Sequence, residues 1–190
     1  MKIHTKNGYF IYDIDDVYIR NDMMGGEIFE SRLINEVIKP YIEKSKYVVD
    51  VGANIGCHTI SYTGFNKDCK VWAFEPQQKL YEILVYNIKL NNVQKQVNAF
   101  KCGLGHETRN TTMSDIETVY DSHMSGYNKG GLGIGQGGEG ITIVPLDSLD
   151  LPGLDFMKID VEGAEGLVIQ GARETIKKYK PVIFFEHNYQ

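Results

Sequence analysis

Short apolar runs rich in β-branched residues alternate along the chain with longer segments in which apolar residues recur every three to four positions. The short runs predict buried strands, and the longer segments predict helices. The predicted core strands are 47–51, 70–74, 97–104, 154–159 and 181–186, with a further strand at 141–144 and a helical turn at 146–149. The predicted helices are 28–42, 57–65, 76–91 and 167–180. This alternation is typical of an α/β fold built on a mainly parallel, doubly wound sheet.

Two regions depart from the alternation. Residues 8–20 alternate apolar and polar positions around an acidic turn, which predicts a small hairpin followed by a loop at 21–27. Residues 105–140 are polar and then glycine-rich, which predicts a long loop or an irregular hairpin. The chain is therefore predicted to form a single domain, with the hairpin and loop in 1–27 and a Rossmann-like core in 28–190.

The role of the glycine-rich loop, 126–140, stays open at this stage. Together with the residues before it, the loop could close over a substrate as a lid that carries His123 and Tyr127. It could equally be an exposed hairpin without a role in function. Long loops inside compact domains are often functional, but the composition of this one does not separate the two interpretations.

A glycine loop follows the first core strand, with the pattern Asp50-x-Gly52-x-Asn54-x-Gly56. The two glycines allow positive φ angles and close approach of the backbone to a ligand or a neighbouring strand, and Asn54 tolerates left-handed geometry better than most residues. Asp50 stands at the carboxyl end of the strand, where its carboxylate can accept hydrogen bonds from a ligand or from the loop. The pattern is typical of a nucleotide-cofactor site.

A second acidic residue indicates which cofactor. Glu75 ends the second core strand, 23 residues after Gly52 and directly before Pro76. A carboxylate at about this distance grips the two hydroxyls of a ribose. The loop lacks the Gly-x-Gly-x-x-Gly pattern that binds a pyrophosphate, and Asp50 favours a ligand that carries an ammonium group. S-adenosylmethionine has that ammonium and no phosphate, so it is the predicted cofactor.

The charged residues after the fourth core strand are candidates for catalysis. Lys158, Asp160, Glu162 and Glu165 lie at the strand's carboxyl end, which is the ligand-binding edge of an open α/β sheet. Asp160 could act as a general base on a substrate hydroxyl, or hold the amino group of the cofactor or a metal. Lys158 could lower the pKa of a hydroxyl or pair with a carboxylate. Glu162 and Glu165 also suit a purely structural role at a helix N-terminus.

The end of the fifth core strand reaches the same edge of the sheet. Glu186 is the third catalytic candidate, and His187 is a weaker one, because a single histidine after a strand is more often simply exposed. His58, beside the glycine loop, is interpreted as a packing or backbone-bonding residue. No metal site is predicted.

Composition narrows the function further. The chain has 190 residues, a formal charge of −5 and a pI near 5.5, which argues against a nucleic-acid binder or a protein of anionic membranes. No apolar run approaches the ~18 residues needed to cross a bilayer. Three cysteines without metal-type spacing favour a reducing compartment, so the predicted location is the cytoplasm. The expected partner is a small-molecule or carbohydrate acceptor.

Four blocks of sequence, in order, resemble the FkbM family of S-adenosylmethionine-dependent methyltransferases. They are residues 49–56, 73–76, 144–149 and 158–165, followed by Gly171-Ala172, Pro181 and Glu186. The resemblance implies a class I methyltransferase fold and methyl transfer to an oxygen, often a hydroxyl or carboxyl of a sugar or small metabolite. Residues 158–162 would border the acceptor. Glu75 and Pro76 would bind the cofactor together with the loop and the helix after it, through Asp50, Gly52, Ala53, Asn54, Gly56 and Thr59.

One departure from the family concerns the sheet. Class I methyltransferases usually have seven strands, and five core strands are predicted here, so the fold is expected to be shortened at its C-terminus. An oligomer could then cover the open sheet edge. Three alternative functions stay open: a catalytically silent methyltransferase-like binding module, an NAD-linked oxidoreductase, and RNA ribose methylation, which the acidic charge disfavours.

Overall fold

The computed structural model describes residues 1–13, 15–113, 120–121, 126–127, 134–135 and 137–186. Its N-terminal region forms an antiparallel hairpin, β1 (Lys2–Thr5) and β2 (Gly8–Ile11), and then a helix, α1 (Val17–Met24). A small hairpin is therefore confirmed, but it spans 2–11 instead of 8–20, and the loop predicted at 21–27 begins only after α1. The Asp16 carboxylate accepts the N–H of Ile19 as a helix cap, which starts a helix where the apolar alternation had suggested a strand.

The predicted helix at 28–42 begins later than expected. A π-helical segment, Leu33–Ile38, continues directly into α2 (Lys39–Ile42). Glu30 adopts a φ of +57°, which lies outside the helical region, so residues 28–30 approach the helix as an irregular segment. Pro40 lies in the first turn of α2, where its missing N–H is tolerated.

The strands and helices of the core follow the predicted order. The first half contains β3 (Tyr47–Val51), α3 (Cys57–Phe65), β4 (Lys70–Phe74), α4 (Gln78–Leu90) and β5 (Val97–Phe100). Pro76 was expected in the first turn of α4, but it lies before that helix. The strand predicted at 97–104 divides in two, because β6 (Gly103–Leu104) leaves the central sheet for a smaller one.

The segment at 105–140 contains β7 (Arg109–Thr112), β8 (Tyr120–Asp121), β9 (Gly126–Tyr127) and the start of β10 (Gly140–Val144). β7 and β10 belong to the smaller sheet, whereas β8 and β9 pair with each other. β10 pairs antiparallel with β7 and parallel with β6. The prediction of an irregular hairpin is thus confirmed for β7 and β10, the two strands at the ends of the segment. His123 and the side chain of Tyr127 lie outside the described residues, as does His187.

The second half of the core completes the central sheet. A 3₁₀ turn (Leu146–Ser148) leads to β11 (Phe156–Ile159), then to α5 (Glu165–Gly171) and α6 (Arg173–Tyr179), and to β12 (Val182–Phe185). The predicted helix at 167–180 is therefore two helices that meet at Ala172. Among the described residues, no helix has the length and apolar character that crossing a membrane would require.

The order of strands in the central sheet is β12–β11–β3–β4–β5, and every neighbouring pair is parallel. Apolar residues of β3 alternate between its two faces: Val48 packs with α2, α3 and α4, and Val49 packs with α5. This Rossmann-like, doubly wound arrangement confirms the predicted fold class. From β3 the chain adds β4 and β5 on one side, and it later adds β11 and β12 on the other side. The reversal point between β3 and β11 is where ligands bind in folds of this kind.

Candidate functional site

The glycine loop lies at this reversal point, between β3 and α3. Gly52 has a φ of +75°, and a Cβ there would lie 1.9 Å from the carbonyl oxygen of Asp160. Gly56 has a φ of +93°, and its Cβ would lie 2.7 Å from Leu84 Cδ1. Asn54 adopts a φ of +52°. The glycines are thus required for the close packing of the loop against the end of β11 and against α4.

Glu75 joins the glycine loop to the start of α4. Its Oε2 accepts the N–H of Asn54 and its Oε1 accepts the N–H of Gln77, both at 2.9 Å. The neighbouring N–H of Ala53 donates to the carbonyl of Phe74, which ties the same loop to β4. Burial raises the pKa of Glu75 to about 7, although the two N–H groups and Lys158 act in the opposite direction. The Glu75 carboxyl group therefore changes charge near neutral pH.

Asp50 lies beneath the loop and is fully buried. Its Oδ2 accepts a hydrogen bond from the hydroxyl of Thr59, which is also fully buried. Its Oδ1 has no hydrogen-bond partner and lies 3.6 Å from the ammonium of Lys158. The sequence predicts that Asp50 and Thr59 bind the cofactor, and in the structure both side chains are fully buried.

A buried ammonium links the ends of β3 and β11. Lys158 is 3% exposed, and its Nζ donates to the carbonyl of Gly52 at 2.9 Å and lies 3.1 Å from Asp160 Oδ2. Burial alone would lower the pKa of Lys158, but Asp50 and Asp160 raise it above its usual range. For Asp160, burial acts to raise the pKa, and Lys158 outweighs that and holds it below its usual value. The three side chains form one charged network.

Glu186 extends this network towards solvent. Its carboxyl group and that of Asp160 share a hydrogen bond. Burial and the negative charge of Asp160 raise the pKa of Glu186 to about 7. The structure thus brings the three predicted catalytic residues, Lys158, Asp160 and Glu186, into one network at the carboxyl ends of β11 and β12. Glu165 instead accepts the N–H of Gly163 at the start of α5, which is a structural contact.

A cleft runs along this edge of the sheet and has two parts with different chemistry. One part is mainly apolar and is lined by Phe74, Pro76, Leu104, Met113, Ile134 and Ile143. The other part is acidic and is lined by Asp16, Tyr18, Phe29, Glu162 and Glu186. Gly52, Glu75, Asp160 and Glu162 line both parts, so Glu75 stands where the apolar and the acidic regions join.

One wall of the acidic region comes from a part of the chain that sequence analysis did not assign to the site. Tyr18 lies on α1, and Phe29 lies in the irregular segment before the π-helix. The next residue, Glu30, lines a small cavity that shares Phe29, Gly52, Asn54 and Asp160 with the acidic region. His58 was expected to pack or to bond to backbone, and its ring bonds to the side chains of Glu30 and Tyr62. These residues precede or flank the glycine loop without a recognisable spacing, so the local pattern carried no signal for them.

Comparison with known proteins identifies a family for the part of the chain that begins at the glycine loop. The profile of the methyltransferase FkbM domain matches residues 50–190. Methyltransferase sdnD of Sordaria araneosa is 27% identical over 162 residues, which cover 70% of this chain and 62% of the relative. Methyltransferase 1 of Beauveria bassiana (strain ARSEF 2860) is 24% identical over 193 residues, which cover 90% of this chain and 74% of the relative.

The fold also matches a solved structure. The crystal structure of methyltransferase FkbM from Methylobacillus flagellatus KT superposes with a TM-score of 0.53 and 23% identity, over 74% of this chain and 32% of that chain. The chain thus spans about three fifths of the length of sdnD and about a third of the crystallised protein. At this identity the structural match supports the shared fold.

Proposed function

Because the chain belongs to the methyltransferase FkbM domain family, whose profile covers residues 50–190, we propose that it is an S-adenosylmethionine-dependent methyltransferase. The observation that carries this proposal is the cleft whose apolar and acidic regions join at Glu75. S-adenosylmethionine has a flat aromatic base, a ribose with two hydroxyls and a methionine chain whose sulfonium, ammonium and single carboxylate give it a net positive charge. The cleft offers matching chemistry in the same order.

The residues present fit this cofactor. The apolar region suits the adenine, because its walls are mainly aliphatic and aromatic and its carboxylates are the three that it shares with the acidic region. The ionised carboxylate of Glu75 retains lone pairs beyond those that accept Asn54 and Gln77, and these can accept ribose hydroxyls. The acidic region favours the sulfonium and ammonium charges by Coulomb attraction in a partly buried site.

We expect the affinity for S-adenosylhomocysteine to rise with pH across neutrality. The pKa of Glu75 is about 7, and its ionised form is the better acceptor for ribose hydroxyls, so raising the pH from 6 to 8 converts most of the carboxyl to carboxylate. The expected gain in affinity is at most about tenfold. Calorimetric titrations at the two pH values measure it. The Glu75→Gln variant should bind more weakly at pH 8 and lose most of the pH dependence; an unchanged dependence would remove Glu75 from the ribose.

The cofactor, when bound, supplies a methyl group on a positively charged sulfur, which needs no covalent help from the protein. The contribution of this chain is then alignment and removal of a proton from the acceptor. Glu186 suits the second task, because its pKa of about 7 leaves much of it ionised and able to accept a proton at neutral pH. Asp160 and Lys158 hold that carboxyl in place. We propose that the acceptor is a hydroxyl or carboxyl oxygen of a sugar or small metabolite.

A labelled-methyl assay tests the reaction type. The protein is incubated with S-adenosylmethionine carrying a deuterated methyl group and with matched acceptors that offer a hydroxyl, a carboxyl or an amine. Transfer to oxygen, with release of S-adenosylhomocysteine, is the expected result. Transfer to amines alone would replace the oxygen acceptor. Tight cofactor binding without transfer to any acceptor class would favour the silent binding module.

A further inference from the structure

The structure bears on which side chain meets the ammonium group of the cofactor's methionine part. Asp50 is fully buried and already faces Lys158 and Thr59. Asp160 is 3.1 Å from Lys158 and shares a hydrogen bond with Glu186, so its charge is also compensated within the protein. The carbonyl of Gly52 accepts the Lys158 ammonium. The acceptors around the glycine loop that the sequence pattern highlights are therefore engaged by this one lysine.

Glu30 differs from these groups. Its side chain is 26% exposed and lines a small cavity together with Gly52, Asn54 and Asp160. Its backbone φ of +57° is rare for a residue with a side chain. Such a conformation persists only where the surroundings impose it, and it is enriched at ligand sites. Here it accompanies a carboxylate in a cavity that shares Gly52, Asn54 and Asp160 with the acidic region of the cleft.

The contact with His58 orients the Glu30 carboxylate. His58 is almost fully buried, with its Nε2 at 2.8 Å from Glu30 Oε2 and its Nδ1 at 2.9 Å from the hydroxyl of Tyr62. Among the described residues, Nδ1 is the partner of the buried Tyr62 hydroxyl, so the hydroxyl donates to it. Nε2 then carries the hydrogen and donates to Glu30. In this tautomer Glu30 accepts one hydrogen bond, and its carboxylate oxygens retain lone pairs that a ligand can use.

We infer that Glu30 binds the ammonium group of the cofactor's methionine part, with His58 holding its carboxylate in position. The inference rests on the proposed function. It extends the cofactor site to a segment that lies before residues 50–190, the region matched by the family profile. It makes residues 28–30 a wall of the cofactor site. A charge-assisted hydrogen bond of this kind strengthens binding by about tenfold to a hundredfold.

The test compares three ligands by calorimetry on the wild-type protein and on Glu30→Gln. S-adenosylhomocysteine carries the ammonium and the carboxylate, decarboxylated S-adenosylhomocysteine keeps only the amine, and 5′-methylthioadenosine has neither. We expect Glu30→Gln to weaken the first two by about tenfold to a hundredfold and to leave 5′-methylthioadenosine within about twofold. Glutamine keeps an oxygen that can accept from His58, so the local fold is retained.

Glu36→Gln is the matched control, because it removes a carboxylate from the same region whose partner is the exposed Arg32. It should leave all three affinities unchanged. If Glu30→Gln binds all three ligands as the wild type does, or weakens 5′-methylthioadenosine as much as S-adenosylhomocysteine, the role of Glu30 is overturned while the proposed function stands. If the wild-type protein binds none of the three ligands, the proposed function is overturned as well.

Discussion

Replacing Lys158 with methionine is expected to lower the free energy of unfolding by about 3–5 kcal/mol, the usual cost of removing one partner of a buried ion pair. Lys158 is 3% exposed, and its ammonium lies 3.6 Å from Asp50 Oδ1. Asp50 is fully buried and that oxygen has no hydrogen bond. Without Lys158, folding would leave a carboxylate charge in the core uncompensated. Urea denaturation at pH 7 measures the change.

The double variant Asp50→Asn/Lys158→Met separates this explanation from a simple loss of packing. If the uncompensated charge of Asp50 is the cause, removing it should recover a large part of the lost stability. A single variant that unfolds at the same urea concentration as the wild type would contradict the buried network. So would a double variant that is as unstable as the sum of the two single changes.

Replacing Glu186 with glutamine is expected to lower kcat by about 10²–10⁴, the usual contribution of a general base. Glutamine has nearly the same shape but cannot accept a proton from the acceptor. The affinity for S-adenosylhomocysteine should change little, because binding of this product does not require proton removal. Turnover of an oxygen acceptor under saturating cofactor, together with a calorimetric titration, measures both quantities.

The pH profile gives this prediction a second readout. Since the pKa of Glu186 is about 7, wild-type turnover should rise with pH through neutrality. Asp160→Asn removes one of the causes that raise this pKa, so it should move the rise to lower pH. We expect Asp160→Asn to lower turnover more than cofactor affinity. A Glu186→Gln variant with wild-type turnover, or a profile that Asp160→Asn leaves in place, would exclude Glu186 as the base.

The central sheet could be predicted from the sequence because each strand is specified by its own local pattern of apolar residues. The glycine loop with Gly52 and Gly56 leads from β3 directly into α3, as expected where a helix connects two parallel strands. The same pattern failed at residues 17–20, where alternation suggested a strand, and at 21–24, where a loop was predicted. The Asp16 cap starts a helix there, α1, which buries Val17, Ile19 and Met23.

The edge of the sheet that carries the site was also predictable, but the orientation of each side chain was not. Asp50 and Glu75 both end strands at this edge, yet Asp50 is closed off beneath the loop and Glu75 lines the cleft. Burial of this kind depends on contacts between distant segments, such as Lys158 with Gly52. For the same reason Glu30 and His58 could not be found from spacing, because 28 residues separate the two partners.

The most direct test of the account is calorimetric titration of the full chain with S-adenosylhomocysteine, with NAD as a parallel ligand. The apolar region, Glu75 and the acidic region together predict binding of S-adenosylhomocysteine at about micromolar Kd and no measurable binding of NAD, because the cleft offers carboxylates where a pyrophosphate would lie. Binding of NAD at comparable affinity, or no binding of S-adenosylhomocysteine, would contradict the assignment of this cleft to a methyltransferase.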